Sequence, residues 1–325
     1  MDIITFLDTV NIDNYQELTQ QCLTFLNNRD ITLNTRKNEI IRYRRAIKNT
    51  ITNHQLRDNI LSILEIDDST YLEIDHQFKS NLREKLSNKI SIDSDKLITR
   101  AIENIDNKSY ADQCNCLALL TGRRPNELLL NGSFYHGQNI DYAIKETEKL
   151  LIDRQFESVN TPNQIYEIMS KYHNSDDLTG NYYLLFNGQS KQRDAKYNLL
   201  QPYPIPLLAD KKIIMENLSD LRDKTNFKEK ITLTEIDIKK GISLNTKLDK
   251  RCQKTLSESS KKLFSDLLPD SSPSELRACY AVIAHYINHG DSGSMDKNLY
   301  IGQILGHKPS AMSASFSYTN YQVID

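Results

Sequence analysis

The chain has 325 residues, 38 % of them hydrophobic and 26 % charged, a soluble globular composition with length for two domains of ordinary size. No apolar run approaches the ~20 residues of a membrane helix, and the opening MDIITFLDTVNIDNYQEL lacks the basic start of a secretory signal. No membrane contact is expected, and a cytoplasmic location is. The 41 basic and 43 acidic residues leave a net charge of −2, which excludes a uniformly basic coat but not a local basic cleft.

Apolar residues recur near every 3.6 positions through roughly the first 95 residues, which predicts an all-helical N-terminal part. Its most basic stretch is TRKNEIIRYRRAIKNTI, residues 35–51. Arg36, Lys37, Arg42, Arg44, Arg45 and Lys48 stand there against one acid, Glu39, while Ile40, Ile41, Tyr43, Ala46 and Ile47 supply an apolar side. Such a helix is either a solvated face or a track for phosphates. The polar, turn-forming NKISIDSDK, residues 88–96, predicts a domain boundary, giving a helical domain over 1–92 and a second domain over 93–325.

Helical patterns return in DKLITRAIENI and YADQCNCLALLTG. Gly122 is expected to end the second helix in the left-handed conformation, and Pro125 to open the next. Between them Arg123 and Arg124 interrupt an apolar run, and Arg124 has Glu127 three residues on as a partner. The five cysteines, Cys22, Cys114, Cys116, Cys252 and Cys279, are odd in number and irregularly spaced, so no disulfide framework is expected. Cys114 and Cys116 lie two apart on a helix and face different sides, which does not suit a metal pair.

Residues 181–210 read as a β-hairpin: the run Tyr182 to Phe186, a turn at Asn187-Gly188, then YPIPLLA. Pro202, Pro204 and Pro206 confine the second strand to an edge, and Lys191 falls near the tip. Residues 211–270 read as helices with charged faces. SPSELRACYAVIAHYIN, residues 272–288, is a helix capped by Ser272 or Ser274, with Glu275 in its first turn and Arg277 just beyond. His285 and His289 share one face of it, but no third ligand accompanies them and no metal is expected. The fold class is mainly α with a small antiparallel β-sheet.

The order of these elements carries more than any one of them. Thr121-Gly122-Arg123-Arg124-Pro125-Asn126-Glu127-Leu128, Lys191, Ser274-Glu275-Leu276-Arg277, Leu305-Gly306-His307 and Tyr318 resemble the motif series of the tyrosine recombinase superfamily. Ser274 replaces the usual histidine of the third element. The tyrosine stands eleven residues beyond His307, whereas Phe316 occupies the spacing of nine common in integrases. With TGRRPNELL, FNGQSK and YPIPLLA, these departures resemble the telomere resolvases, or protelomerases, over about residues 100–321.

The resemblance implies DNA cleavage and rejoining through a 3′-phosphotyrosine. Arg124 and Arg277 would clamp the non-bridging oxygens of a pentacoordinate transition state with paired, fixed hydrogen bonds. His307 would donate a further hydrogen bond or assist proton transfer. Lys191 would act as general acid on the leaving 5′-oxygen, and Tyr318 as nucleophile. Tyr321 competes for the last role, being three residues on along the same helical face. Arg123 is expected to touch backbone phosphate or an acid. The chain shows neither a Walker-type loop nor an HExxH motif, and no metal, nucleotide or other cofactor is expected.

The implied protein is a C-shaped clamp on double-stranded DNA with an inverted-repeat target, located with the nucleoid or with phage or plasmid DNA. Residues 36–48 would follow phosphates, and a homodimer would cut both strands to give closed hairpin ends. A site-specific recombinase or integrase acting as a tetramer shares the chemistry, although a tail of seven residues after Tyr318 does not favour exchange of tails. A non-catalytic DNA-binding protein on the same scaffold is the third reading.

Overall fold

The computed structural model describes residues 3–135, 182–188, 203–289, 296–306 and 318–324. Five helices open the chain: α1 (Ile3–Thr9), α2 (Tyr15–Asn27), α3 (Leu33–Thr50), α4 (His54–Ile63) and α5 (Asp68–Ser87). Thr32 caps α3, its hydroxyl accepting the Thr35 N–H at 3.2 Å, and Asn53 does the same for α4 through Leu56 at 3.0 Å. Phe6, Cys22, Leu26, Ile40, Tyr43, Ala46, Ile47, Ile60 and Leu64 meet in one apolar core. These are the periodic apolar positions of α1 to α4, so the all-helical expectation holds as far as Ser87, the end of α5.

Contacts divide the chain into two units, Met1–Glu84 with Ile231–Leu248, and Lys85–Lys230 with Asp249–Asp325. A single cut at residue 92 does not describe this division. α10 (Glu235–Lys239) returns to pack on α3. The segment read as a polar boundary also forms strand β1 (Ile90–Asp93), which pairs in parallel with β5 (Tyr321–Ile324), Ile90 opposite Tyr321.

In the second unit, α6 (Ser94–Asn104) starts on Asp93, whose carboxylate accepts the Lys96 N–H. α7 (Tyr110–Thr121) is buried at every residue from Ala111 to Thr121. A helix buried all round must satisfy its polar side chains internally. Asn115 donates to Leu256 O at 2.9 Å and Ser259 Oγ at 3.0 Å, and Ser259 donates to Asp112 at 2.6 Å. Both partners lie on α11 (Leu244–Phe264), while α6, α8 (Lys211–Thr225) and α12 (Pro273–His289) also pack on α7. α9 (Phe227–Lys230) and α13 (Lys297–Leu305) complete the described helices.

Strands β2 (Ser133–Tyr135), β3 (Tyr183–Asn187) and β4 (Tyr203–Pro206) form an antiparallel sheet in that order. Its prolines lie on the edge strand, as their missing N–H groups require. Gly188, at φ 93°, follows β3, and the rest of the expected turn lies outside the described residues. Strand β2 and the parallel pair were not foreseen; the fold class, mainly α with small sheets, was.

Candidate active site

Gly122 ends α7 at φ 67°, and its N–H returns to Ala118 O at 2.9 Å. The ring of Tyr280 lies where a β-carbon would go. Only glycine combines the left-handed backbone with that contact. Gly122→Ala is therefore expected to lower stability by about 2–4 kcal/mol, from αL strain plus overpacking, as measured by denaturant unfolding.

The two arginines after Gly122 diverge. Arg124 donates from Nη1 to Glu127 Oε1 at 2.8 Å and from its backbone N–H to Glu127 Oε2 at 2.9 Å, and its side chain is 23 % exposed. Arg123 is wholly buried. Its guanidinium donates to Thr121 O, Tyr203 Oη and Ile304 O, so it has no face to offer a DNA phosphate, and the expectation that it touches DNA is corrected.

Pro125 does open a helical turn, but the turn widens into a short π-helix, Glu127–Asn131, closed by Gly132 N–H to Glu127 O at 2.8 Å. Such turns are rare and recur at functional sites. Here the wide turn sets Glu127, with no exposed surface, among arginines. Arg222 of α8, unmarked in the sequence, donates to Leu128 O at 2.9 Å, Glu127 O at 3.3 Å and Gly132 O at 2.5 Å, fixing the carbonyl end of this turn.

Arg277 lies on α12, which Ser272 caps by accepting the Glu275 N–H at 3.3 Å. It is 3 % exposed and donates to Gly122 O and, at 3.1 Å, to Leu305 O. Its Nη1 is 3.6 Å from Glu127 Oε2, and its Nε is buried with no hydrogen-bond partner. Burial first, and Arg124 next, push this guanidinium down to about 10, against Glu127 and Tyr318, which favour its charge. It remains a cation at neutral pH. Burial would raise the Glu127 carboxyl, but Arg277, Arg124 and Arg123 together hold it down at about 2. The site is thus one carboxylate ordering two guanidiniums, one partly exposed and one enclosed.

Tyr318 is half-buried in the turn before β5, close enough to Arg277 for its phenol to act on that charge. Tyr321 is different. The expected shared helical face is not formed, because Tyr321 belongs to strand β5. Its hydroxyl donates to Glu275 Oε2 at 2.6 Å, and burial with this bond pushes it far above the usual phenol range. Lys191 and His307 lie outside the described residues.

The basic helix α3 spends most of its charge on its own unit. Arg44 donates to Leu61 O at 2.5 Å and Leu64 O at 2.7 Å, closing the end of α4, and Arg36 donates to Asn27 O at 3.2 Å. Arg42 pairs with Glu39 at 2.6 Å, and Lys37 stands 4.9 Å from the Tyr71 ring centre. Arg45 and Lys48 are exposed. Arg44 thus serves as a helix cap for α4. His285 and His289 pack their rings on Tyr300 of α13, at 5.6 and 4.6 Å between centres.

No curated protein matches the chain. Among solved structures, a variant of protelomerase TelA covalently complexed with substrate DNA superposes with a TM-score of 0.70 at 20 % identity, covering 99 % of this chain and 86 % of that one. A second TelA variant, complexed with DNA hairpin product, gives the same TM-score, identity and coverage. Protelomerase TelK complexed with substrate DNA gives a TM-score of 0.56 at 20 % identity, over 82 % of this chain and 44 % of that one. These likenesses are of fold. The family model of the telomere resolvase ResT/TelK catalytic domain matches residues 88–321, well over half the chain, and the chain belongs to that family.

Proposed function

We infer that this protein breaks and rejoins DNA as a telomere resolvase, forming covalently closed hairpin ends from an inverted repeat. The observation that carries the reading is the meeting of Arg124, Glu127 and Arg277, with the Tyr318 phenol in electrostatic reach. The Tyr318 oxygen attacks phosphorus, and the 5′-oxygen leaves and takes up a proton. The 3′ side of the strand stays on the tyrosine. The 5′-hydroxyl of the complementary strand then attacks the phosphotyrosine and releases the phenol. Arg124 and Arg277 balance the charge that gathers on the non-bridging oxygens. Lys191 and His307 are the proton-handling residues in this proposal.

Each step exchanges one phosphoester for another, so ATP is not required, and the guanidiniums supply the positive charge that a metal would bring. Two strands need two tyrosines, and a homodimer on the repeat provides them. The TelA fold relative, complexed with DNA hairpin product, supports this outcome over strand exchange.

The test is incubation with duplexes bearing candidate inverted repeats, without metal or ATP, followed by denaturing electrophoresis. A covalent protein–DNA adduct and closed ends are expected. Exchanged duplexes would indicate a tetrameric recombinase, and binding with neither product a non-catalytic binder. Phosphate contact by α3 is expected from Arg45 and Lys48. Arg45→Ala and Lys48→Ala should each reduce the slope of log affinity against log salt by about one. Arg44→Ala should lower stability instead, because it uncaps α4.

A further inference from the structure

We propose that Arg123 is a positioning residue of this site: its buried guanidinium locks the end of α13 and strand β4 to the turn that carries Arg124. The proposal rests on the DNA-transesterase reading above. One planar group reaches four elements. Its Nε donates to Thr121 O at the end of α7 at 3.1 Å, its Nη1 to Tyr203 Oη on β4 at 2.5 Å, and its Nη2 to Ile304 O on α13 at 2.5 Å. The carbon of the group lies 4.7 Å from the Phe186 ring centre on β3 and 5.7 Å from that of Tyr203.

The carbonyls at a helix end need partners and carry partial negative charge. At the end of α13, Gly306 N–H takes the carbonyls of Gln303 and Gly302. Arg123 takes Ile304, and Arg277 takes Leu305. Two buried guanidiniums therefore hold two successive carbonyls of one helix terminus. They do not share a fate. A scissile phosphate would engage Arg277 either through its unpartnered Nε–H or by drawing Nη2 away from Leu305. Arg123 faces only protein, so its bond to Ile304 stands throughout the reaction. The end of α13 then keeps its place beside Gly122 while Arg277 engages the phosphate.

An apolar side chain there would avoid the desolvation of a charge. What it lacks is three directed bonds to three segments. Lysine keeps the charge but not the planar fork, and cannot span these acceptors together.

The experiment uses the full chain as wild type, Arg123→Lys and Tyr203→Phe. Two quantities are read: amide hydrogen exchange across 203–206, 300–306 and 113–120, and single-turnover adduct formation on an inverted-repeat duplex. Expected for Arg123→Lys is faster exchange in the first two segments with 113–120 still protected. The rate constant of adduct formation should fall roughly 10²-fold, as a misplacement near 1 Å does, with adduct amplitude and DNA affinity kept. Tyr203→Phe should shift both quantities the same way by less, and it decides the matter if Arg123→Lys does not fold.

Unchanged exchange at 300–306 overturns the brace. Faster exchange across all three segments, or a fall in amplitude at constant rate, shows a general stabilising role and also overturns the proposal. Wild-type protein that binds the duplex without forming adduct brings down the functional reading and the positioning role together. It is told apart because the exchange pattern is read without DNA.

Discussion

Tyr318→Phe should form no covalent adduct on an inverted-repeat duplex while binding that duplex with undiminished affinity. The loss is total within detection, because phenylalanine has no oxygen with which to hold the 3′ phosphate. Affinity is kept because contacts to many phosphates, not one phenol, set it. The companion change, Tyr321→Phe, should leave the adduct intact. The Tyr321 hydroxyl is already given to Glu275 at 2.6 Å inside the fold. Its removal should instead lower stability by about 1.5–3 kcal/mol, the range for a hydrogen bond to a charged acceptor. Denaturing gels for the adduct and thermal unfolding for stability separate the two. An adduct that survives in Tyr318→Phe and vanishes in Tyr321→Phe would reverse the assignment.

The second large effect is at Glu127. Glu127→Ala leaves Arg124, Arg277 and Arg123 close together with the enclosed carboxylate gone. Removing one partner of a buried ion pair costs about 3–5 kcal/mol, a large part of the 5–15 kcal/mol that holds a typical protein folded. Glu127→Gln fills the same space and can still accept the Arg124 N–H, so it should fold better while aligning the arginines poorly. Cleavage should therefore be slow even where folding is intact.

The carboxyl also gives a pH signature. Its folded value, about 2, lies below the ordinary 4.5, so the ionised group favours the folded state at every pH above the ordinary value. That contribution, about 3 kcal/mol, is lost as pH falls from about 4.5 towards 2. Unfolding by denaturant at pH 5 and pH 3 should show a steep loss in wild type and a shallower one in Glu127→Gln. Equal slopes would mean that Glu127 does not order the arginines.

What was legible in the sequence was local. Gly122 announces a left-handed helix end, Asn187-Gly188 the end of a strand, and Ser272 a cap, because each effect is decided within a few residues. The proximity of Arg124, Arg277 and Tyr318 was legible for another reason, since their order along the chain follows a known motif series. What was not legible depends on packing between distant segments. Arg123 and Arg124 are chemically identical neighbours, and only Tyr203 and Ile304, far along the chain, decide which turns inward. Arg222 sits in an ordinary charged helix, and nothing near it foretells the three carbonyls it holds. Arg44 looked like one more basic residue on α3 until α4 placed its last carbonyls opposite. The 90–93 strand reads as a turn-forming domain boundary because its partner, 321–324, lies near the other end of the sequence.

That pairing has a consequence for the division of labour between subunits. Three residues after Tyr318, the backbone is stitched to β1 of its own polypeptide, and Tyr321 is bonded to Glu275, two positions from Arg277 on the same helix. The described segment that follows Tyr318 is thus held by its own polypeptide. On the proposed reading, the arginine that grips the phosphate and the tyrosine that becomes joined to it would belong to one polypeptide.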